Sequence, residues 1–265
     1  MTAPAIEHER STTPVTGLVV GAIAGLLSGL FGVGGGIVIV PGLMALAKME
    51  RRLAHGTSLA ATLPIALASA ITFAASGKVD WPFVLALSIG SIAGAVLGTQ
   101  LLQVIDKRLL VIVFVVTILF TAIRLILTDE TSGRGDLTVG VFLALVVIGL
   151  LTGTLAGLLG IGGGVVMVPA MIVLFSIDPV VAKGTSVAVI VPTSIMGTIR
   201  NRKKANADIP IAIAVGGAGI VSAVIGSTIS KSISDTVANT MFAVLLIIVA
   251  VLQLRTLRTT PAASS

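Results

Sequence analysis

The sequence of 265 residues contains no cysteine and no tyrosine, and it has a single tryptophan. Without cysteine, the protein can form neither disulfides nor thiolate metal sites, and it cannot use a thiol for sulfur chemistry. With so few aromatic residues, it has little material for the aromatic belts that mark membrane interfaces. If the chain enters a bilayer, its orientation must therefore be read from its charged residues.

Charged residues are also scarce. They make up 11% of the chain, against about a quarter in soluble proteins, whereas apolar residues make up 55%. Apolar stretches at 109–123, 137–161 and 236–252 are long or nearly long enough to cross roughly 30 Å of hydrocarbon. Because there are three, a cleaved signal peptide does not explain them. The composition predicts an all-α, polytopic membrane protein.

Two similar stretches lie 128 residues apart. Residues 21–41 read GAIAGLLSGLFGVGGGIVIVP, and residues 149–169 read GLLTGTLAGLLGIGGGVVMVP. The register continues without a gap, since Gly-Thr-Ser occurs at 56–58 and again at 184–186. A duplicated apolar unit interrupted by glycine and proline is typical of a transporter whose site lies between two related halves.

Charges and turns divide each half into five apolar segments. The segments of the first half are 15–31, 37–47, 56–76, 82–104 and 108–127, and those of the second half are 137–159, 165–175, 184–199, 210–230 and 236–254. The predicted organisation is a polar tail (1–14), a first membrane repeat (15–127), a linker (128–136), a second membrane repeat (137–254) and a polar tail (255–265). The second segment of each half reaches only about half the bilayer. The sequence leaves open whether it crosses or re-enters.

Lysine and arginine concentrate in cytoplasmic loops and so indicate topology. If every segment crosses, twelve of the 17 basic residues lie on one side. If the short segments do not cross, the division is ten against seven, so we prefer five crossings per half. An odd number inverts the second half relative to the first. We predict a multi-pass protein of the inner (plasma) membrane with inverted repeats and both termini in the cytoplasm. The basic loops lack the aromatic platforms of a nucleic-acid binder.

The glycine runs at 32–36 and 160–164 are the strongest candidates for a site. Glycine costs about 1 kcal/mol in a helix interior, so four glycines in five residues should break the helix. Irregular backbone inside a membrane is tolerated where protein or a cavity surrounds it, and its freed amides can bind an anion. The alternative is close helix packing through small residues, which we assign to residues 25–29 and 153–157. The candidate substrate-binding residues from the runs are Gly34, Gly35, Gly36, Gly162, Gly163 and Gly164.

The Gly-Thr-Ser stretches are placed at the start of the third segment of each half. There, Thr57, Ser58, Thr185 and Ser186 could cap their own helix, which is the simpler interpretation. A helix N-terminus also attracts anions, and these hydroxyls could then donate to a bound oxyanion. We include all four as candidate substrate-binding residues.

Five further residues are weaker candidates. Pro41 and Pro169 either open a helix or kink one. His55 and Lys183 precede the two Gly-Thr-Ser stretches and could add charge to the site, although extension to the lipid headgroups is the alternative. Asn201, in a basic stretch, could line a cytoplasmic mouth.

Acidic residues are absent from the interiors of all predicted segments. Because buried carboxylates commonly carry protons in transporters, strong coupling through a buried acid is not expected. The sequence also shows no Ser-His-Asp set and no histidine-rich cluster. We therefore expect no enzymatic activity, no metal and no cofactor.

Two GxGGG runs, each followed by proline and then by Gly-Thr-Ser, resemble the sulfite exporter TauE/SafE family of membrane proteins. The resemblance extends over residues 15–254, and its motif positions are Gly32, Gly34, Gly35, Gly36, Pro41, Gly160, Gly162, Gly163, Gly164 and Pro169. It implies passage of a small sulfur-containing anion such as sulfite. We expect export by alternating access between the repeats. A passive anion channel and a non-transporting membrane scaffold subunit are the alternatives. The expected partners are the anion and the bilayer, and a homo-oligomer is left open.

Overall fold

The structure is a computed structural model that describes residues 14–101, 137–160, 162–203 and 207–258, with five single positions between 112 and 123. These ranges contain helices and no strands. The helices are α1 (Pro14–Phe31), α2 (Gly36–Leu46), α3 (Arg51–Ala74), α4 (Trp81–Leu101), α5 (Val139–Leu159), α6 (Gly164–Phe175), α7 (Pro179–Lys203), α8 (Ile209–Ser230) and α9 (Asp235–Arg258). Five of them are long and apolar enough to cross a membrane. The prediction of an all-α polytopic membrane protein is confirmed.

Some predictions fall outside the described residues. They are the linker at 128–136, most of the apolar segment at 108–127, and the terminal residues 1–13 and 259–265. Elsewhere, most helices begin within two residues of the start of the corresponding predicted segment. The exceptions are α3 and α7, each of which begins five residues before the predicted start.

The early start of α7 has a local cause. The side chain of Asp178 accepts hydrogen bonds from the backbone amides of Val180 and Val181, both at 3.0 Å. Pro179 follows as the first helical residue, where its missing N–H costs nothing. Because this N-cap precedes Gly184 by six residues, the Gly-Thr-Ser stretch lies in the second turn. The prediction that this stretch begins the helix is wrong, and α3 differs in the same way.

Helices α1, α3 and α8 run in one direction. Along α1, Gly21 packs against Val215 of α8 and Gly29 packs against Ala223, so the two helices are parallel. Along α3, Thr57 lies beside Asp208 and Ile65 beside Gly219. Together with α2, these helices form what we call the first bundle.

Helices α4, α5 and α7 run in the opposite direction. Gly149 of α5 packs against Leu87 of α4, and Gly157 packs against Ala95, which makes these two helices parallel. Ser91 of α4 bonds to Thr193 of α7 at 2.7 Å. With α6, these helices form the second bundle. Each bundle therefore combines helices from both halves of the sequence.

The two bundles meet where α3 crosses α7. Leu59 of α3 lies against Gly197 of α7, and Phe73 lies against Gly184, so the two helices are antiparallel. Equivalent helices of the two sequence halves thus run in opposite directions. Their orientation in a bilayer, with five crossings per half, stays a prediction.

Small residues allow the closest helix contacts. A methyl group added at Gly25 would overlap the backbone of Gly219, and one added at Gly153 would overlap the backbone of Ser91. This confirms that the glycines at 25 and 153 serve helix packing. Large apolar side chains such as Val139 and Ile213 are exposed on the outer faces, as a lipid environment requires.

The chain reverses direction after α1. A methyl group at Gly35 would lie 2.9 Å from the carbonyl oxygen of Ala24, and one at Gly42 would lie 3.0 Å from a side-chain carbon of Val20. Thus α2 runs back along α1. Its 11 residues span about 16 Å, roughly half the hydrocarbon core. Pro41 lies inside this helix and does not open it.

Candidate functional site

The two glycine runs meet between the bundles. We call residues 32–35 the first glycine loop and residues 160–163 the second glycine loop. A methyl group at Gly162 would lie 3.2 Å from the carbonyl oxygen of Val33 and 3.9 Å from Cα of Gly34. One at Gly164, directly after the second loop, would overlap the carbonyl oxygen of Gly32. The described residues of both loops are buried and in direct contact.

Each loop ends at the N-terminus of a short helix. Gly35 and Gly163 precede α2 and α6 with φ of 75° and 74°, a left-handed conformation that glycine adopts without steric cost. The amides of Val38 and Ile39 donate to the carbonyl oxygen of Gly35 at 3.0 and 3.1 Å. The preceding amides of each short helix have no acceptor within their own helix. Two helix ends with partial positive charge therefore approach each other inside the protein.

The predicted serines bond to the loops of the opposite half. Ser58 Oγ donates to the carbonyl oxygen of Gly160 at 3.0 Å, and Ser186 Oγ donates to that of Gly32 at 2.9 Å. Both serines are buried. They contact the glycine loops, and each hydroxyl donates to a backbone carbonyl.

The predicted threonines form hydrogen bonds with the helix starts of the opposite half. Thr57 Oγ1 accepts from the backbone amide of Asp208, and Thr185 Oγ1 accepts from that of Asp80, both at 2.9 Å. The prediction that these residues cap their own helices is wrong, because α3 and α7 begin earlier. Instead, their hydroxyl oxygens accept hydrogen bonds from the backbone amides just before α8 and α4.

His55 and Lys183 lie behind the loops. A methyl group at Gly160 would lie 3.0 Å from Cα of His55, and one at Gly32 would lie 2.7 Å from Cα of Lys183. Lys183 is 0% exposed, and its Nζ donates to Ser230 Oγ at 3.4 Å. It therefore does not extend to the headgroups. It lies near the C-terminal end of α1, where the helix dipole favours a cation.

The remaining predicted residues lie away from the loop contact. Pro41 is exposed within α2, and Pro169 is buried within α6. Asn201 Nδ2 donates to the carbonyl oxygen of Gly197 at 2.9 Å. Asn201 is eleven residues, about 16 Å, along α7 from Ile190, which contacts Gly34. The structure does not bring Asn201 to the glycine loops.

Sequence reasoning missed Thr62 and Ile190. They occupy equivalent positions in the two halves, and both contact the first glycine loop. A methyl group at Gly34 would lie 3.2 Å from Cγ2 of Thr62 and 2.9 Å from Cδ1 of Ile190. One signal was available, because Thr62 follows Ser58 by one helical turn. Helical threonines are common, so only the contact with Gly34 distinguishes this one.

Apolar helices that surround broken helices at the contact of two related halves are the architecture of a membrane transporter. The sequence comparisons agree. The family described as "Sulfite exporter TauE/SafE" matches residues 2–125 and 145–264, and the chain belongs to this family.

Three relatives carry similar descriptions. The chain is 31% identical to "Probable membrane transporter protein YunE" of Bacillus subtilis over 211 residues, which cover 69% of this chain and 76% of that protein. It is also 31% identical to "Probable membrane transporter protein MJ0441" of Methanocaldococcus jannaschii, covering 69% and 70%. A "Probable membrane transporter protein" of Xylella fastidiosa is 26% identical and covers 87% and 91%. The protein is therefore a membrane transporter.

Proposed function

We propose that this transporter exports a small anion, sulfite or another sulfur-containing or organic anion, across the inner membrane by alternating access. The observation that carries the proposal is the approach of the α2 and α6 N-termini at the contact between the glycine loops. The family's description as a sulfite exporter supports the substrate class.

Electrostatics favours an anion at this place. Each helix N-terminus is equivalent to roughly half a positive charge, and two such ends in a low-dielectric interior repel each other. An anion between them would remove the repulsion and accept hydrogen bonds from the first amides of both helices. An inside-negative potential favours export of a monovalent anion by about 2.3 kcal/mol per 100 mV, so export needs no second ion.

The contacts also suggest which parts move. The closest helix pairs are α1 with α8 and α4 with α5, and each pair joins helices from different sequence halves. We therefore assign the alternating motion to the two bundles rather than to the two sequence halves. The glycine loops touch across the bundle contact, so substrate would enter when the bundles separate there.

Flux through purified protein in liposomes tests the proposal. We expect saturable flux of sulfite or of another small anion from a panel, with a rate that depends on the imposed potential. Unsaturable currents far above transporter turnover would instead indicate a passive channel. Absence of flux for the whole panel would indicate a non-transporting scaffold. Either result would overturn the proposal.

Leucine at Gly35 or Gly163 is a poor test of the site. Both residues have positive φ, and a methyl group at Gly35 already lies 2.9 Å from the carbonyl oxygen of Ala24. Such variants would disturb folding. Variants with small volume changes are therefore preferable.

A further inference from the structure

We propose that Thr62 is a substrate-binding residue whose hydroxyl donates a hydrogen bond to the anion held between the glycine loops. This inference rests on the proposed function and extends it. It assigns a direct contact to a residue that lies outside the glycine, Gly-Thr-Ser and proline motifs.

The hydroxyl of Thr62 has no structural task among the described residues. Thr62 is 0% exposed, and its Oγ1 has no hydrogen-bond partner in that part of the chain. Several other helical threonines behave differently. The hydroxyls of Thr152, Thr154, Thr193 and Thr228 each donate to the carbonyl four residues earlier at 2.7–2.8 Å. A buried hydroxyl without a partner is unfavourable, and a bound anion would supply the missing partner.

The side chain of Thr62 borders both glycine loops. Its Cγ2 lies 3.2 Å from the position of a methyl group on Gly34 and 3.8 Å from that of a methyl group on Gly162. Oγ1 branches from the same Cβ as Cγ2, so the hydroxyl is two bonds from the carbon that makes this contact and lies beside the glycine loops. Thr62 thus adds a side-chain donor where the amide-bearing ends of α2 and α6 converge. Backbone amides together with a hydroxyl form the kind of donor set that binds oxyanions.

The site is asymmetric because the second half has no equivalent hydroxyl. Ile190 takes the position of Thr62 in the second half, and its Cδ1 lies 2.9 Å from the methyl position on Gly34. A bound anion would therefore meet a hydroxyl on the α3 side and an apolar side chain on the α7 side. One hydroxyl, rather than a symmetric pair, would contribute to affinity.

The chain provides a matched control. Thr198 of α7 also has a buried Oγ1 without a partner among the described residues. It is eight residues, about 12 Å, along the helix from Ile190. Valine at either position keeps the side-chain shape and removes an unpaired hydroxyl. Both variants should fold and should unfold at temperatures no lower than the native protein.

The test compares Thr62→Val, Thr62→Ser and Thr198→Val in proteoliposome flux and in thermal unfolding with added sulfite. The probe is sulfite, or the panel anion with the highest native flux. We expect Thr62→Val to raise KM at least tenfold and to abolish the rise in unfolding temperature caused by the anion. Thr62→Ser should keep KM and the anion-induced rise in unfolding temperature within about threefold of the native values. Thr198→Val should keep both quantities within about twofold.

The outcomes separate the two proposals. Native flux together with an unchanged KM in Thr62→Val would overturn the role of Thr62 and leave the transport proposal intact. Equal losses in Thr62→Val and Thr198→Val would assign the effect to general packing and would also overturn that role. If the native protein carries no anion of the panel, both proposals fail.

Discussion

Ser186 Oγ donates a hydrogen bond to the carbonyl oxygen of Gly32 at 2.9 Å, although the two residues lie 154 positions apart and in different bundles. The neighbouring residue Thr185 bonds to Asp80 within the second bundle. The same division holds for Ser58, which bridges the bundles, and Thr57, which does not. Bonds between the bundles must break if the bundles move, whereas bonds within a bundle persist. The adjacent hydroxyls should therefore give different phenotypes.

Removal of a serine hydroxyl should weaken the contact between the bundles. We expect Ser186→Ala to destabilise this conformation by about 1 kcal/mol, the usual net contribution of one hydrogen bond. A single cysteine at the buried residue Val33 should then react about fivefold faster with a water-soluble maleimide. Thr185→Val serves as the control and should leave that rate unchanged. Equal rates in both variants would contradict the assignment of moving parts.

Removal of a threonine hydroxyl should lower stability instead. Thr57→Val and Thr185→Val each leave the amide of an aspartate at a helix start without its acceptor. An unpaired polar group in the interior costs about 1–3 kcal/mol. Because the Thr185 bond is buried and the Thr57 bond is only partly buried, we expect the larger loss in Thr185→Val. Thermal unfolding in detergent measures this, and a stability equal to native in either variant would contradict it.

Gly164→Ala should separate the glycine loops. Its methyl group would overlap the carbonyl oxygen of Gly32 and lie 2.8 Å from Cα of Val33. We expect reduced anion flux and a lower unfolding temperature. The control is Gly217→Ala in α8, where a methyl group meets nothing within 4 Å. Alanine there should raise stability by up to about 1 kcal/mol through helix propensity and leave flux unchanged. Native flux in Gly164→Ala would show that close loop contact is unnecessary.

The topology can be tested without removing native cysteines, because the chain has none. Ser76 and Ser232 are exposed at the end of the first bundle where Lys231 Nζ donates to Ser76 Oγ at 2.7 Å. Lys48 and Arg202 are also exposed, and we predict that they face the cytoplasm. In intact cells, an impermeant thiol reagent should label Ser76→Cys and Ser232→Cys but not Lys48→Cys or Arg202→Cys. Labelling of all four from one side would refute five crossings per half.

Much of the fold follows from local properties of the sequence. Apolar runs bounded by charges predict most helix positions to within a few residues, because a membrane helix must satisfy its backbone internally. Glycine runs predict the breaks because each glycine weakens a helix locally. The sequence prediction places the starts of α3 and α7 too late because Thr and Ser are good N-caps. In α7 an earlier N-cap, Asp178, begins the helix instead.

The sequence by itself determined the membrane class, the helix breaks and the duplication, because these depend on composition and on spacing along the chain. Only the tertiary structure decided that α1 pairs with α8, that Ser186 bridges the bundles while Thr185 stays within one, and that Thr62 lies beside Gly34. These relationships join residues far apart in the chain. No local pattern specifies such contacts, because they depend on how whole helices pack against each other.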